Sequence, residues 1–178
     1  MKKIVSGGQT GVDRAALDAA MALNIPVGGW CPRGRRALDG EIPERYPLIE
    51  TRGKGYQMRT KWNVRDSDAT LIVCHGEPGG GTALTVRYCQ TLSKLCFICR
   101  LQDGRRAAPA DCELLPWLAG HRVAVLNVAG PRESKTYPTY RPAYALLSEL
   151  FRQWKQESVS EHGQLFARTR GSQRTSND

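Results

Sequence analysis

The chain is poor in aromatic rings and in histidine: Phe, Trp and Tyr make up 7% of 178 residues, and there are three histidines. Rings this sparse, and not interleaved with basic residues, argue against a stacking platform for single-stranded nucleic acid. Long apolar runs are missing too, since none approaches the ~18 to 20 residues of a membrane span. Met1-Lys2-Lys3-Ile4 leads straight into the first expected strand, which leaves no room for a signal peptide. The expectation is a cytoplasmic protein without a membrane partner. No GxSxG elbow and no HExxH pair is present.

Negative charge is also in short supply, with 17 acidic against 26 basic residues and a net charge of +9. That balance suits a small anionic ligand, although part of the excess lies in the C-terminal tail and serves solubility equally well. Arg33, Arg35 and Arg36 crowd into "CPRGRRALDG", and arginine's planar fork matches phosphates and carboxylates. The six cysteines, in a chain of this size without a secretory signal, are expected to stay reduced. Cys96 and Cys99 form a CxxC inside "KLCFICRL", which reads as a buried strand. An offset of three then puts the thiols on opposite faces, unsuited to a redox or zinc motif. Cys31 and Cys74 fall near strand ends and leave a soft metal contact open.

What is present is alternation. Strands are expected at about 2–6, over "IPVGGW", "YPLIE", "ATLIVCH" and "KLCFICRL", and in "HRVAVLNVAG". Between them lie helices at about 11–23, 55–66 and over "GGGTALTVRYCQTL", a short one in "ADCELLPWLAG" after a loop at 102–109, and a closing one at about 141–155. Strands alternating with helices predict an α/β fold with an open parallel sheet and helices on both faces, built as one domain over 1–155. The polar tail, 156–178, has little periodicity and is expected to be disordered.

Three of these strands run into glycine turns: "VSGGQTG", "CHGEPGGGT" and "LNVAGPRES". In an open parallel sheet all three turns fall on the C-terminal edge, where such folds bind ligands. The first is not a Walker A loop, because Gly11 is followed by Val12-Asp13, and not a dinucleotide fingerprint, because Ser6 stands where the first glycine is needed. It offers backbone N–H groups, the hydroxyls of Ser6 and Thr10 and the amide of Gln9. Gly7, Gly8 and Gly11 would let an oxyanion approach the backbone. Gly79, Gly80, Gly81 and Thr82 would hold another part of the ligand, with Thr82 alternatively a helix cap. Asn127 and Gly130, with Arg132 and Ser134, could contribute from the third turn, unless the strand simply buries the Asn127 amide. Asp13 is either a helix-dipole partner or has a ligand or structural pairing role. No catalytic residue is assigned, and the metal ligands are left open.

Taken together, "VSGGQTGVDRAALDAA", "GEIPERYPLIET", "NVRDSDATLIV", "GGGTALT" and "LNVAGPRES" resemble the molybdenum carrier family. These are Rossmann-like proteins in the wider group that includes the lysine-decarboxylase-like, cytokinin-activating phosphoribohydrolases. The resemblance spans roughly residues 3 to 150 and implies a Rossmann-like sheet, a homo-oligomer (dimer or tetramer), and binding of molybdenum cofactor, molybdate or another nucleotide-like anion. The hydrolase branch carries Pro-Gly-Gly-x-Gly-Thr-x-x-Glu. Here "PGGGTALT" is one residue shorter, with Thr85 where the working glutamate would align. The resemblance thus favours a carrier over an N-glycosidic enzyme, which stays the alternative.

Overall fold

The computed structural model describes residues 2–101, 113–136 and 138–171, with side chains as far as Gln156. Its centre is a five-stranded parallel sheet. The strands are β1 (Lys3–Val5), β2 (Val27–Gly28), β7 (Ala69–Cys74), β8 (Leu95–Arg100) and β9 (Val125–Ala129), in the order β2-β1-β9-β7-β8. The last strand in the chain therefore lies in the middle of the sheet, between β1 and β7. All six residues of β7 are buried, as its continuous apolar run requires of a strand covered on both faces.

Side chains alternate across the sheet, and each face collects its own helices. Ile4, Leu71, Val73, Leu126 and Val128 point to one face. There they meet α1 (Val12–Ala22), α4 (Leu114–Gly120) and α5 (Tyr140–Gly171). Ala15, Ala16, Ala19 and Ala20 are fully buried. Their short side chains let α1 lie close to the sheet on one side and to α5 on the other. Leu146, Leu147, Leu150 and Phe151 of α5 close this core, each worth about 1.5–3 kcal/mol on burial. The opposite face presents Ile72, Cys74 and Ala129 to a thinner apolar layer under α3 (Gly80–Thr91). α2 (Tyr56–Arg65) packs beside α3.

Three expectations change in detail. "IPVGGW" is not one strand: β2 stops at Gly28, and β3 (Trp30–Cys31) leaves the main sheet to pair in parallel with β6 (Ile49–Glu50). Gly29, at φ +129°, makes the break, and a Cβ there would lie 2.3 Å from the Ser6 carbonyl. The backbone must turn away at that point, and only glycine turns it so. The basic loop before residue 43 contains a small hairpin, β4 (Arg36–Ala37) with β5 (Gly40–Glu41). The closing helix, expected at about 141–155, runs on to Gly171 through the first part of the expected tail. The loop expected at 102–109, the start of the helix expected from "ADCELL" and residues 172–178 of the tail lie outside the described residues. No described helix is long and apolar enough to cross a membrane.

Candidate functional site

The C-terminal ends of β1, β7 and β9 face a cleft of about 580 Å³. Its floor is the turn into α3, Gly79 to Thr82, and the end of β9, Ala129 to Arg132. Gln9 and Asp13 border it from the start of α1, Tyr56, Arg59 and Thr60 from α2, and Leu38 from the hairpin tip. β1 feeds α1 toward one edge of the sheet and β7 feeds α3 toward the other, with β9 between them. This is a point where connections diverge, the usual crevice of an open α/β sheet.

The α3 turn is built to leave donors unused. No side chain caps it, and Thr82 sits inside the first turn, with its N–H on the Gly79 carbonyl at 3.0 Å. The leading N–H groups of a helix have no partner within it, and they carry the positive end of its dipole. A Cβ built on Gly79, Gly80 or Gly81 meets nothing within 4 Å. The space above these residues is open to a ligand. Thr85 turns its hydroxyl back to the Gly81 carbonyl at 3.0 Å.

Opposite this turn lies a residue that the sequence reading did not single out. Arg59 reaches from α2 across the Gly7 backbone, where a Cβ would fall 2.0 Å from its Nη1. Gly7 is therefore a platform for the guanidinium. Arg59 Nη1 stands 3.3 Å from Asp13 Oδ2, with side-chain exposures of 13% and 4%. Burial pushes the Asp13 carboxyl above its usual range, while Arg59 and the Gln9 N–H pull it back. The buried Nε of Arg59 has no hydrogen-bond partner among the described residues. A buried donor left unsatisfied costs about 1–3 kcal/mol. Asp13 is the only carboxylate among the described residues lining the cleft, and Arg132 adds a second guanidinium at the rim.

The buried positions of α2 are Thr60, Asn63 and Val64, so its inner face is mostly polar and had to meet something polar. Asn63 spends its amide on Trp30, accepting from the Trp30 N–H at 2.8 Å and donating to its carbonyl at 3.0 Å. That clasp places α2 against β3 and aims Arg59 at the cleft.

The remaining candidates divide. Of the first turn, Gln9 borders the cleft, but its Oε1 accepts from the Thr10 and Leu38 N–H groups at 2.9 and 2.8 Å. Thr10 and Gly11 line a neighbouring cavity of about 490 Å³, with Arg14, Asp39, Tyr46 and Tyr140. Ser6 is fully buried, its hydroxyl given to the Val128 carbonyl at 2.7 Å. Gly8, at φ +73°, packs beneath Leu48 and Ile42. Gly130 belongs to the cleft wall. Asn127 does not reach it: the amide donates to Thr70 Oγ1 at 3.2 Å within the sheet.

Arg33, Arg35 and Arg36 are not brought to the cleft. Arg35 turns inward and donates to the carbonyls of Ile42, Pro43 and Tyr46 at 2.9 Å each and of Leu48 at 3.3 Å. It clamps the base of the hairpin. Arg33 and Arg36 are exposed and border neither cavity. The hairpin tip is latched by Arg14, whose two terminal nitrogens donate to Asp39 at 2.5 and 2.8 Å. This half-exposed pair is worth about 1 kcal/mol at most. His75 does not line either cavity. Among the described residues, no three His, Cys, Asp or Glu side chains come together as a metal site.

The comparisons with known proteins agree with this architecture. No curated protein matches the chain. A crystal structure from Syntrophus aciditrophicus, of a protein named "Putative molybdenum carrier protein", is 44% identical and superposes with a TM-score of 0.77, covering 84% of this chain and 94% of its own. The model of the circularly permutated YpsA SLOG family matches residues 4–151, a span that includes every residue lining the cleft. The chain belongs to the circularly permutated YpsA SLOG family.

Proposed function

We propose that the cleft binds an anionic ligand, namely molybdenum cofactor, molybdate or a related phosphate-bearing nucleotide-like molecule, and that the protein carries it rather than transforms it. One observation bears most of the weight: the uncapped, glycine-lined start of α3 opens on the same space as the Arg59 guanidinium. Backbone N–H groups and a positive side chain across a cavity of this size suit a phosphate or oxyanion end. The described residues fit that end of the cofactor, with Gly80 and Gly81 donating from the backbone and Arg59 and Arg132 supplying charge. The 44% identical protein with the molybdenum carrier name supports the same cargo. Thr85, in place of a carboxylate, supports carriage over hydrolysis. We place the protein in the cytoplasm as a dimer or tetramer, to be checked by light scattering on a sizing column.

Native mass spectrometry of gently purified protein, with elemental analysis for molybdenum, tests this directly. Molybdenum with a pterin mass is the expected result, and a nucleotide with no molybdenum would overturn the cargo while keeping the cleft. Gly81→Leu should fill the site without harming the fold. The Cβ has room, and leucine is up to about 1 kcal/mol better than glycine inside a helix. Titration with molybdate and with adenosine monophosphate should show affinity down about tenfold or more, roughly 1.4 kcal/mol, at an unchanged or raised melting temperature. Gly80 is a poorer position for this test, because its φ of +50° would add backbone strain to any side chain.

A second reading, an N-glycosidic nucleotide hydrolase, is favoured by the Asp13 carboxyl alone, which lines the cleft with its proton affinity raised by burial. Release of free base from a nucleoside monophosphate, lost in Asp13→Asn, would establish it.

A further inference from the structure

Two large apolar side chains border the cleft while standing open to solvent, Leu38 at 55% exposure and Tyr56 at 41%. Leu38 sits in the two-residue turn between Ala37 and Gly40, which pair across the hairpin. Asn, Asp and Gly dominate such turns because they suit the backbone there, so nothing in the turn calls for a leucine. The tip is nevertheless fixed in place. The Leu38 N–H donates to Gln9 Oε1 at 2.8 Å, and Asp39 accepts from both terminal nitrogens of Arg14. Arg14 is held in turn by its Nε donating to the Gly8 carbonyl at 3.2 Å. An exposed leucine is thus anchored at the border of the cleft.

Tyr56 opens α2 directly after Gly55. Tyr56, Arg59 and Thr60 all line the cleft, at the i, i+3 and i+4 positions of one helix face, so the ring lies one turn from the guanidinium. Among the described residues the Tyr56 ring and hydroxyl make no hydrogen bond or aromatic contact. Only its backbone carbonyl is used, accepting from Thr60 Oγ1 at 2.9 Å. Leu84, Ala129 and Pro131 add to the apolar part of the lining.

The cleft therefore has two chemistries, free backbone donors and cations at one part and apolar groups at another. Its volume of about 580 Å³ is that of a site for a whole small molecule. A tetrahedral oxyanion occupies only a few times the roughly 30 Å³ of a water, and it offers nothing to Leu38 or Tyr56. An unpartnered aromatic face suits a planar ring, which it can stack upon.

We propose that Leu38 and Tyr56 determine specificity by holding a planar heteroaromatic ring whose attached anionic group meets the α3 turn and Arg59. This rests on the anionic reading of the cleft given above. A nucleobase and a pterin share the required planarity, whereas a bare tetrahedral anion is only a partial occupant.

Calorimetric titration of the full chain tests this with adenosine monophosphate, adenosine, ribose 5-phosphate, pterin-6-carboxylate and molybdate. Adenosine monophosphate and ribose 5-phosphate carry the same phosphate and differ in the ring. At least one of the ring-bearing anions should bind about tenfold or more tighter than the ring-free ones, and which one does so separates nucleobase from pterin. Tyr56→Ala and Leu38→Asn should each erase about tenfold of that affinity, leave the ring-free anions as they were and keep the melting temperature, since both side chains are exposed. Tyr56→Phe should restore binding, because the ring face and not the hydroxyl acts. Ring-bearing anions no tighter than ring-free ones, or full affinity in Tyr56→Ala, would overturn the ring contact and leave the anion site standing. Adenosine weakened by Tyr56→Ala, with ribose 5-phosphate and molybdate unbound, would keep the ring contact and overturn the anionic reading instead. Binding of none of these probes would overturn both.

Discussion

Replacing Arg59 by methionine is expected to cost about 3–5 kcal/mol of stability at neutral pH, the usual penalty for removing one partner of a buried ion pair. Methionine retains much of the apolar stem that lies over Gly7, so the lost charge dominates. Asp13, 4% exposed at its side chain, would be left as a buried anion with the Gln9 N–H donating to it at 3.3 Å. Its pH dependence carries the diagnosis. Burial already raises the folded Asp13 carboxyl above its unfolded value. The folded state therefore holds a proton that the unfolded state has lost, and stability falls as pH rises through that window. Without Arg59, its chief opposing influence, the folded value rises further and the window widens upward. The deficit should be largest at neutral pH and shrink as the solution is acidified toward the ordinary carboxylate range. Urea unfolding at two pH values measures it. Adding Asp13→Asn to Arg59→Met should recover most of the stability at neutral pH, because no uncompensated charge remains. The same double variant should still fail to bind molybdate or adenosine monophosphate, which separates the structural role of the pair from the ligand role proposed for the guanidinium. Wild-type stability in the single variant at neutral pH would show that the ion pair contributes nothing.

Gly130→Ala is the second large effect, expected at about 3 kcal/mol, the upper end of the usual overpacking cost. The added Cβ would lie 2.2 Å from the Val73 carbonyl oxygen and 2.7 Å from Val12 Cγ2. Neither atom is the free end of a flexible side chain. Val73 lies within β7, next to β9, and Val12 opens α1 in the middle of the core. Relief requires the end of β9 to leave its neighbours, and Pro131 and Arg132 would leave the cleft with it. A lower denaturation midpoint and weaker ligand binding should appear together. Gly79→Ala is the control, since its Cβ meets nothing and its extended backbone, φ −115° and ψ 166°, accepts any residue. Equal midpoints for the two alanine variants would remove the packing argument at Gly130.

Much of the cleft can be read from local pattern. The run "ATLIVC" has to be a strand covered on both faces. The glycines after β7 and β9 mark where the backbone opens beside a helix start and packs closely at a strand end. Parallel strands then gather those ends on one edge. These are properties of a few consecutive residues, and the fold does not alter them.

Long polar side chains are different, because the same residue serves several geometries. Arg33, Arg35 and Arg36 look alike in sequence. Arg35, at φ +47°, is turned into the hairpin base to satisfy carbonyls there, and the other two stay at the surface. Asn127 alternates toward the sheet face that carries Thr70 and α3, so its amide is used before it can reach a ligand. Arg59, some fifty residues along the chain from Gly7, meets the first glycine turn only because α2 is clasped to Trp30 by Asn63.

By itself, then, the sequence determined the alternation of strand and helix, the parallel sheet and the glycine turns at its C-terminal edge. Each of these follows from backbone conformation and burial period, which neighbouring residues specify. The tertiary structure alone decided which cation faces the α3 turn and which arginine becomes a clamp. A guanidinium takes its role from whatever partner lies within a few ångströms, and those partners come from distant segments of the chain.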